Sequence, residues 1–157
     1  MIRIARLTDY GIMLLTYIAR DSELLTRNAR DLAVEAGLPL PTVSKILKAL
    51  ARSGLLVAHR GVKGGFSLAR SPQEISVAEI ISALEGPIAM TECSVHSPIK
   101  CSLEGLCPVG NNWQRINRAV QGALESLTLA EMTHPLPRNF AALSGERRKR
   151  LAVQSAA

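Results

Sequence analysis

The fold is decided by residues 28–69, which read NARDLAVEAGLPLPTVSKILKALARSGLLVAHRGVKGGFSLA. Apolar residues at helical spacing predict two short helices, one over about 28–36 and the next over about 41–53. A tight glycine-containing turn joins them, so they form a helix-turn-helix. Two β-prone runs around the glycine-rich, basic loop at 60–65 then predict a hairpin. This order of elements is that of a winged helix, a mostly α fold with a small β-hairpin wing.

Three further helices are predicted outside this stretch. Thr8 is a good N-cap residue for the first helix, and Ser76 with Glu79 forms a capping box that starts the fourth. The apolar stripe of the first helix comprises Tyr10, Met13, Leu14, Tyr17 and Ile18. A long helix begins near Pro108, with an apolar seam typical of a coiled-coil or bundle contact. The seam comprises Trp113, Ile116, Val120, Ala123, Leu124 and Leu127. Thr128 and Glu131 could cap one more short turn.

Composition limits the classes of protein that this chain can be. Its 157 residues are 47% hydrophobic and 20% charged, which supplies an ordinary core and excludes a wholly disordered chain. Aromatic residues make up only 3%, which argues against a single-strand binder that stacks bases on rings. No apolar run approaches the roughly 20 residues that span a bilayer, and the N-terminus is a poor signal peptide. We therefore expect a soluble, cytoplasmic protein with no membrane partner.

Charge is distributed unevenly along the chain. Residues 1–70 carry 11 Lys and Arg against 5 Asp and Glu, residues 71–135 carry 3 against 7, and residues 136–157 carry 5 against 1. A basic first half beside an acidic second half indicates that the first half meets a polyanion. The plain alternative is a solvated surface with scattered lysines.

The helix over 41–53 presents a polar face that could read duplex DNA, because a helix can enter the major groove and reach base edges. The polar face carries Thr42, Ser44, Lys45, Lys48 and Arg52. In the wing, Arg60 and Lys63 lie on a loop thin enough to approach a minor groove, which attracts cations where it is narrow. Ordinary exposed polar residues are the alternative for each of these positions. Phosphate contacts should make the binding strongly salt-dependent.

The three cysteines lie close together in an aperiodic stretch before the long helix. Cys93, Cys101 and Cys107 have the spacing C-x7-C-x5-C, and an odd count in a cytosolic chain argues against a disulfide framework. Clustered thiolates without C-x2-C pairing favour an iron–sulfur cluster, while zinc, thiol redox chemistry or inert cysteines remain open. Three thiolates leave one iron in need of a further ligand. The candidates are Asp9, Glu92, His96, Glu104 and His134.

These residues together resemble the IscR/NsrR/RirA-type (Rrf-two) family of winged-helix transcription regulators. The resemblance covers about residues 1–133. Its motifs are LTDYG at 7–11, PTVSK at 41–45, RGVKGGF at 60–66, SVAEII at 76–81 and the three cysteines in family order. Two strings, EGPIAMTEC at 85–93 and GNNWQRIN at 110–117, look most like the subfamily that regulates the SUF operon for iron–sulfur cluster assembly.

The resemblance implies a homodimer on an operator in double-stranded DNA, with operator affinity set by a cluster on Cys93, Cys101 and Cys107. Arg60 matches a wing arginine that enters the minor groove, and Ser44 matches a base-discriminating position. The dimer would form through the helix that starts at about residue 109. We expect its interface to comprise Trp113, Ile116, Val120, Leu124 and Leu127.

The fourth cluster ligand departs from the pattern of the IscR-type members. Those members place a histidine three residues beyond the last cysteine, where this chain has Gly110. The nitric-oxide-sensing branch instead uses an aspartate from the first helix of the partner subunit, and Asp9 occupies that position. Asp9 is therefore the candidate fourth ligand, and this favours a 4Fe–4S over a 2Fe–2S cluster.

Four segments with different roles are predicted. They are a winged helix-turn-helix domain at 1–85, a cysteine cluster-binding loop at 86–108, a dimerisation helix at 109–133 and a basic, disordered tail at 134–157. The resemblance implies a repressor of SUF genes that senses an iron–sulfur cluster. Alternatives are a nitric-oxide- or redox-sensing regulator of the same fold, a zinc-dependent repressor, and a cluster carrier without specific DNA binding. The sequence shows no Ser/His/Asp set at a recognisable turn and no phosphate-cradling P-loop, so we expect no enzyme.

Overall fold

Six helices and one two-stranded hairpin make up the part of the chain that the computed structural model describes, namely residues 3–20, 26–61, 64–91, 94 and 106–134. The helices are α1 (Arg6–Arg20), α2 (Ala29–Ala36), α3 (Leu40–Arg52), α4 (Val77–Glu85), α5 (Gly110–Glu125) and α6 (Leu129–Met132). The strands are β1 (Leu56–His59) and β2 (Gly65–Leu68), and a single 3-10 turn lies at Pro72–Glu74. The predicted fold class is confirmed. None of the described helices is both long and apolar enough to cross a membrane.

Local signals at both ends of α2 set the helix-turn-helix. The Asn28 side chain accepts a hydrogen bond from the Asp31 backbone N–H at 2.8 Å and so caps the start of α2. Gly37 ends α2 in the left-handed conformation, with φ of 65°, which a residue with a Cβ adopts only at a cost. The chain then enters α3, whose inward residues are fully buried. They are Val43, Ile46, Leu47 and Leu50.

The wing is an antiparallel hairpin that is also fastened to the segment before α2. Leu56 pairs with Leu68 at one end of the hairpin and His59 pairs with Gly65 at the other. Arg27 adds a further bridge to β2, because its backbone N–H donates to the Phe66 carbonyl at 2.9 Å and its carbonyl accepts from the Phe66 N–H at 2.8 Å. This bridge was not predicted, and it fixes where the hairpin lies relative to the helix-turn-helix.

The first helix begins earlier than predicted, and its buried face differs from the predicted apolar stripe. The backbone is already helical from Arg6, so Thr8 lies inside α1 and is fully buried, and its predicted role as N-cap is wrong. The N–H groups of Thr8 and Asp9 both donate to the Ala5 carbonyl, which places the helix start before Thr8. Leu14 and Leu15 are fully buried, whereas Tyr10 and Tyr17 of the predicted stripe are only half-buried.

The chain after α5 returns to the core formed by α1 to α4, which we call the N-terminal unit (residues 6–85). The predicted capping boxes of Ser76 with Glu79 and of Thr128 with Glu131 are both confirmed. Backbone hydrogen bonds join these two helix starts, from Val77 N–H to the Leu127 carbonyl at 2.9 Å and from Leu129 N–H to the Ile75 carbonyl at 2.8 Å. Leu129 is fully buried in the core. The chain that follows α5 is therefore fastened to the N-terminal unit.

Candidate functional site

The outward face of α3 is polar and basic. Burial of the four apolar residues on its inner face leaves Lys45, Lys48 and Arg52 exposed, with Thr42 and Ser44 half-buried beside them. All of these side chains belong to one rigid helix that begins next to Pro39 and Pro41. A basic helix face of this kind, standing out from a globular unit, has the shape and charge to enter a DNA groove.

A concave groove of about 770 Å³ lies between α3 and the hairpin. Ser44, Lys45, Lys48 and Arg52 of α3 line one side of it, and Ala58 with Phe66 of the hairpin line the other. The charged residues among the described lining are all cations, so the groove favours a polyanion. Its apolar hairpin wall is able to contact sugars or base methyl groups.

Arg60 lies at the tip of the wing, directly after β1, and is exposed. Gly61 has φ of 109° and its carbonyl accepts from the Gly64 N–H at 2.9 Å, which turns the chain tightly at the tip. Across the strands, His59 Nε2 and Ser67 Oγ are 2.8 Å apart. The structure thus presents one of the two predicted wing cations at the tip. The other, Lys63, lies outside the described residues.

A partly buried ion pair, which sequence reasoning missed, joins the wing to α2. The Arg27 side chain is 9% exposed, and its guanidinium contacts the Glu35 carboxylate on α2. Because the Arg27 backbone also pairs with Phe66, one residue connects β2 and α2. Nothing in the sequence distinguishes Arg27 from the neighbouring basic residues of the chain, because its burial depends on the hairpin packing against it.

The cysteine segment, residues 86–108, is described only at its two ends. Cys93 and Cys101 lie outside the described residues, whereas Cys107 is a half-buried free thiol. Asp9 is exposed on the first turn of α1. Among the described residues no three His, Cys, Asp or Glu side chains form a group that could hold a metal ion. Only Asp9 and Cys107 of the four predicted ligands lie among the described residues, so the ligand set stays a prediction.

Cys107 lies just before the start of α5 and its thiol is free. Val109, the residue before α5, has an apolar side chain and cannot cap the helix, so the positive end of the α5 dipole faces the chain that carries Cys107. Leu106 is 86% exposed and Val109 is 46% exposed, so apolar side chains on either side of Cys107 in sequence are open to solvent. At Gly110, a Cβ would lie 3.8 Å from the Cys107 Cβ, an ordinary contact distance. The thiol donors of the segment are soft ligands that suit iron–sulfur ligation.

The predicted seam of α5 is largely open to solvent in the single chain. Trp113 is 38% exposed, Ile116 is 44% and Leu127 is 43%, while Val120 and Leu124 are half-buried. Large apolar side chains aligned on one exposed helix face mark an interaction surface.

Asn117 is the buried residue of α5, with 7% of its surface exposed, and sequence reasoning missed it. Its Oδ1 accepts from the Met90 N–H at 3.0 Å, and its Nδ2 donates to the Ile88 carbonyl at 3.3 Å. The first residues of the cysteine segment are thus hydrogen-bonded to α5. The one sequence feature that could have indicated its burial is its place beside the apolar seam. An exposed asparagine could occupy the same place, so the sequence does not distinguish the two.

A family profile described as "Rrf2: Iron-dependent Transcriptional regulator" matches residues 4–135 of the chain. Protein aau3 of Rhizobium meliloti (strain 1021) is 30% identical over 139 residues, which are 88% of this chain and 90% of that protein. The HTH-type transcriptional regulator NsrR of Halalkalibacterium halodurans is 26% identical over 125 residues, 80% of this chain and 86% of that protein.

A solved structure that matches is that of CymR (YrzC), the global cysteine regulator of B. subtilis. It has a TM-score of 0.66 at 27% identity and covers 85% of this chain and 97% of that chain. Together these comparisons confirm the predicted fold and the prediction that the protein is a regulator and not an enzyme.

Proposed function

The chain belongs to the Rrf2 family of transcriptional regulators, and from this premise we propose that it is an iron–sulfur-sensing repressor of SUF cluster-assembly genes. As a member of that family it is a DNA-binding protein. The finer proposal is that a homodimer in the cytoplasm binds a duplex operator and that occupancy of a cluster sets its affinity. The groove between α3 and the hairpin, whose described charged residues are all cations, is the observation that carries the DNA-binding part.

We assign recognition to Thr42, Ser44, Lys45 and Lys48 on α3. Their position on one exposed helix face supports contact with base edges through the hydroxyls and with phosphates through the lysines. Arg60 and Lys63 of the wing would reach the flanking minor groove. Each phosphate contact releases counterions, so affinity should fall steeply as the salt concentration rises.

A second copy of the chain is the partner proposed for the α5 seam. The interface would comprise Trp113, Ile116, Val120, Leu124 and Leu127, whose incomplete burial in the single chain supports this assignment. Two α3 helices read adjacent half-sites only if they lie roughly 34 Å apart, or a multiple of that distance. The segments around α5 that hold the two N-terminal units relative to each other are therefore able to control DNA binding.

The proposed ligands of the cluster are Cys93, Cys101 and Cys107, with Asp9 of the partner subunit as the fourth. When bound, an iron–sulfur cluster supplies a cross-link that oxidation or nitrosylation can remove, with 4Fe–4S favoured over 2Fe–2S. Cys107 lies at the head of α5 and Asp9 on α1 of the N-terminal unit. Ligation by both would tie the dimer helix of one protomer to the DNA-reading unit of its partner. A coupling of this kind typically changes affinity by about 5- to 150-fold.

The test compares operator binding by cluster-loaded and cluster-free protein after oxygen-free purification with iron and sulfide counting. Cys101→Ala and Asp9→Ala should abolish the difference, while Glu125→Ala, at an exposed carboxylate on α5, should preserve it. Equal affinity in every sample would overturn the sensing proposal. Protein that stays colourless and metal-free after reconstitution would overturn the cluster itself.

A thiol-based sensor is the second candidate, and the similarity to CymR, the global cysteine regulator of B. subtilis, favours it. In that case Cys107 and the other cysteines would respond to oxidants without bound iron. Oxygen-free preparations would then lack visible absorbance, and mild oxidation of the metal-free protein would change its operator affinity reversibly.

A further inference from the structure

The chain that leads into the cysteine segment is held at two points. Before it, the Glu85 carboxylate at the end of α4 accepts a hydrogen bond from the Ala5 backbone N–H at 2.9 Å, next to the start of α1. After the turn at Gly86, where φ is 93°, the backbone of residues 88–90 is hydrogen-bonded to Asn117 on α5. The segment is thus anchored to the N-terminal unit at one point and to α5 at the next.

We propose that Asn117 is a positioning residue that couples the cysteine segment to α5, because both ends of its side-chain amide hold the backbone of Ile88 and Met90 against the helix. This inference rests on the proposed function. It specifies how a conformational change in the cysteine segment would be transmitted to α5. Cys93 follows Met90 by three residues in sequence.

The burial of Asn117 shows how strongly this contact is specified. The side chain is 7% exposed, and it satisfies one backbone donor and one backbone acceptor at the same time. If the segment moved away from α5, the amide, the Met90 N–H and the Ile88 carbonyl would have to find other partners. Breaking such a contact inside a protein is costly, so the segment and the helix should move together.

The residues beside Asn117 on α5 offer no equivalent connection. Ile116 is 44% exposed and Arg118 is exposed, because residues adjacent in sequence lie on other faces of the helix than Asn117. The hydrogen bonds from Asn117 to the segment are therefore specific to this position on the helix. A helix that needed Asn117 only for packing would be served equally well by an apolar residue of the same size.

The experiment uses the full-length protein with three substitutions. Asn117→Leu removes both hydrogen bonds with little change in volume, and Asn117→Asp retains the acceptor for the Met90 N–H but loses the donor to the Ile88 carbonyl. Gln121→Leu is the matched control: it changes an amide to leucine one turn later, where Gln121 Nε2 donates to the exposed Glu125 Oε1 at 2.8 Å. Each protein is measured cluster-loaded and cluster-free on a duplex that the wild-type protein selects from a random library.

In cluster-free protein, amide exchange at Met90 should be about 5- to 30-fold faster in Asn117→Leu than in wild type. The ratio of operator affinities between loaded and cluster-free protein should fall close to one in Asn117→Leu, take an intermediate value in Asn117→Asp, and be unchanged in Gln121→Leu. Unfolding midpoints close to that of the control would exclude general destabilisation. If Asn117→Leu does not fold, the comparison of Asn117→Asp with the control decides.

Two further outcomes separate the coupling from the proposed function. A wild-type ratio of one would overturn the proposed sensing and the coupling with it. A full wild-type ratio that Asn117→Leu and Asn117→Asp both retain would leave the sensing in place and overturn the role of Asn117.

Discussion

Gly65 is the position where the wing comes closest to the segment before α2. A Cβ at residue 65 would lie 2.6 Å from the Arg27 carbonyl oxygen and 2.8 Å from the Arg27 carbonyl carbon. Both are backbone atoms, so no side-chain rotation relieves the contact. Gly65→Ala must therefore displace β2 from Arg27 and weaken the paired hydrogen bonds, at 2.9 and 2.8 Å, that join Arg27 to Phe66.

The size of the effect follows from those contacts. Two backbone hydrogen bonds contribute about 0.5–1.5 kcal/mol each, and overpacking of a rigid site costs about 1–3 kcal/mol. The two costs do not add, because moving β2 away from Arg27 relieves the overpacking but weakens the hydrogen bonds. We therefore expect the free energy of unfolding of Gly65→Ala to fall by about 1–3 kcal/mol. Because Arg60 lies on the same hairpin, operator affinity should fall in parallel, by about fivefold or more.

Urea unfolding at one fixed protein concentration measures the first quantity, since the stability of a dimer depends on concentration. Gly122→Ala is the matched control. Gly122 is exposed in the last turn of α5 and a Cβ there meets nothing within 4 Å, so alanine should be neutral or stabilise the helix by about 0.5–1 kcal/mol. If Gly65→Ala stayed within about 0.5 kcal/mol of wild type, the wing would not be fixed through Arg27 as described.

Three further predictions concern DNA contact, assembly and pH. Lys48→Ala should reduce the slope of log affinity against log salt concentration by about 0.9, measured by fluorescence anisotropy, and an unchanged slope would mean that Lys48 makes no phosphate contact. Ile116→Glu places a charge on the exposed seam and should produce monomers in sedimentation experiments; a dimer of undiminished affinity would place the interface elsewhere. The pKa of Glu79 is lowered from its ordinary value of 4.5 by the hydrogen bond from the Ser76 backbone N–H and then by Arg70. The stabilisation from ionised Glu79 is therefore complete above about pH 4.5 and is lost as pH falls through the lower folded-state pKa. Glu79→Gln should flatten the acid limb of the stability curve, and an unaltered limb would refute the assignment.

The elements that the sequence predicted correctly depend on signals within a few residues of one another. Asn28 and Gly37 bracket α2, and the capping box of Ser76 starts α4, because each involves only local backbone geometry. Thr8 shows the limit of such signals. It has the chemistry of an N-cap, but the packing of α1 against the rest of the N-terminal unit buries it inside the helix.

The contacts that position the candidate site are long-range and could not be predicted in this way. Arg27 pairs with Phe66, and Asn117 pairs with Ile88 and Met90, across 27 to 39 residues of chain. Arg27 and Asn117 are polar residues, and each is buried by a segment that is distant in sequence. The ligand set of the cysteines stays a prediction, because Cys93 and Cys101 lie outside the described residues.

Because little of α5 is buried in the single chain, the proposed sensing, the proposed dimer and the proposed role of Asn117 depend on one another. Asn117 is the buried residue of this 16-residue helix, and a helix of about that length is marginally stable alone in water. Its order then comes from packing against α4, from the hydrogen bonds of Asn117 to residues 88–90, and from the attachment of the following chain to the N-terminal unit. In the proposed homodimer, a second copy along the exposed seam would add to these contacts. The cysteine segment lies between a unit with its own apolar core and a helix that lacks one. In the proposed mechanism, a ligand bound at Cys107 would therefore act on a helix with little stability of its own, and would in this way change how two N-terminal units are spaced.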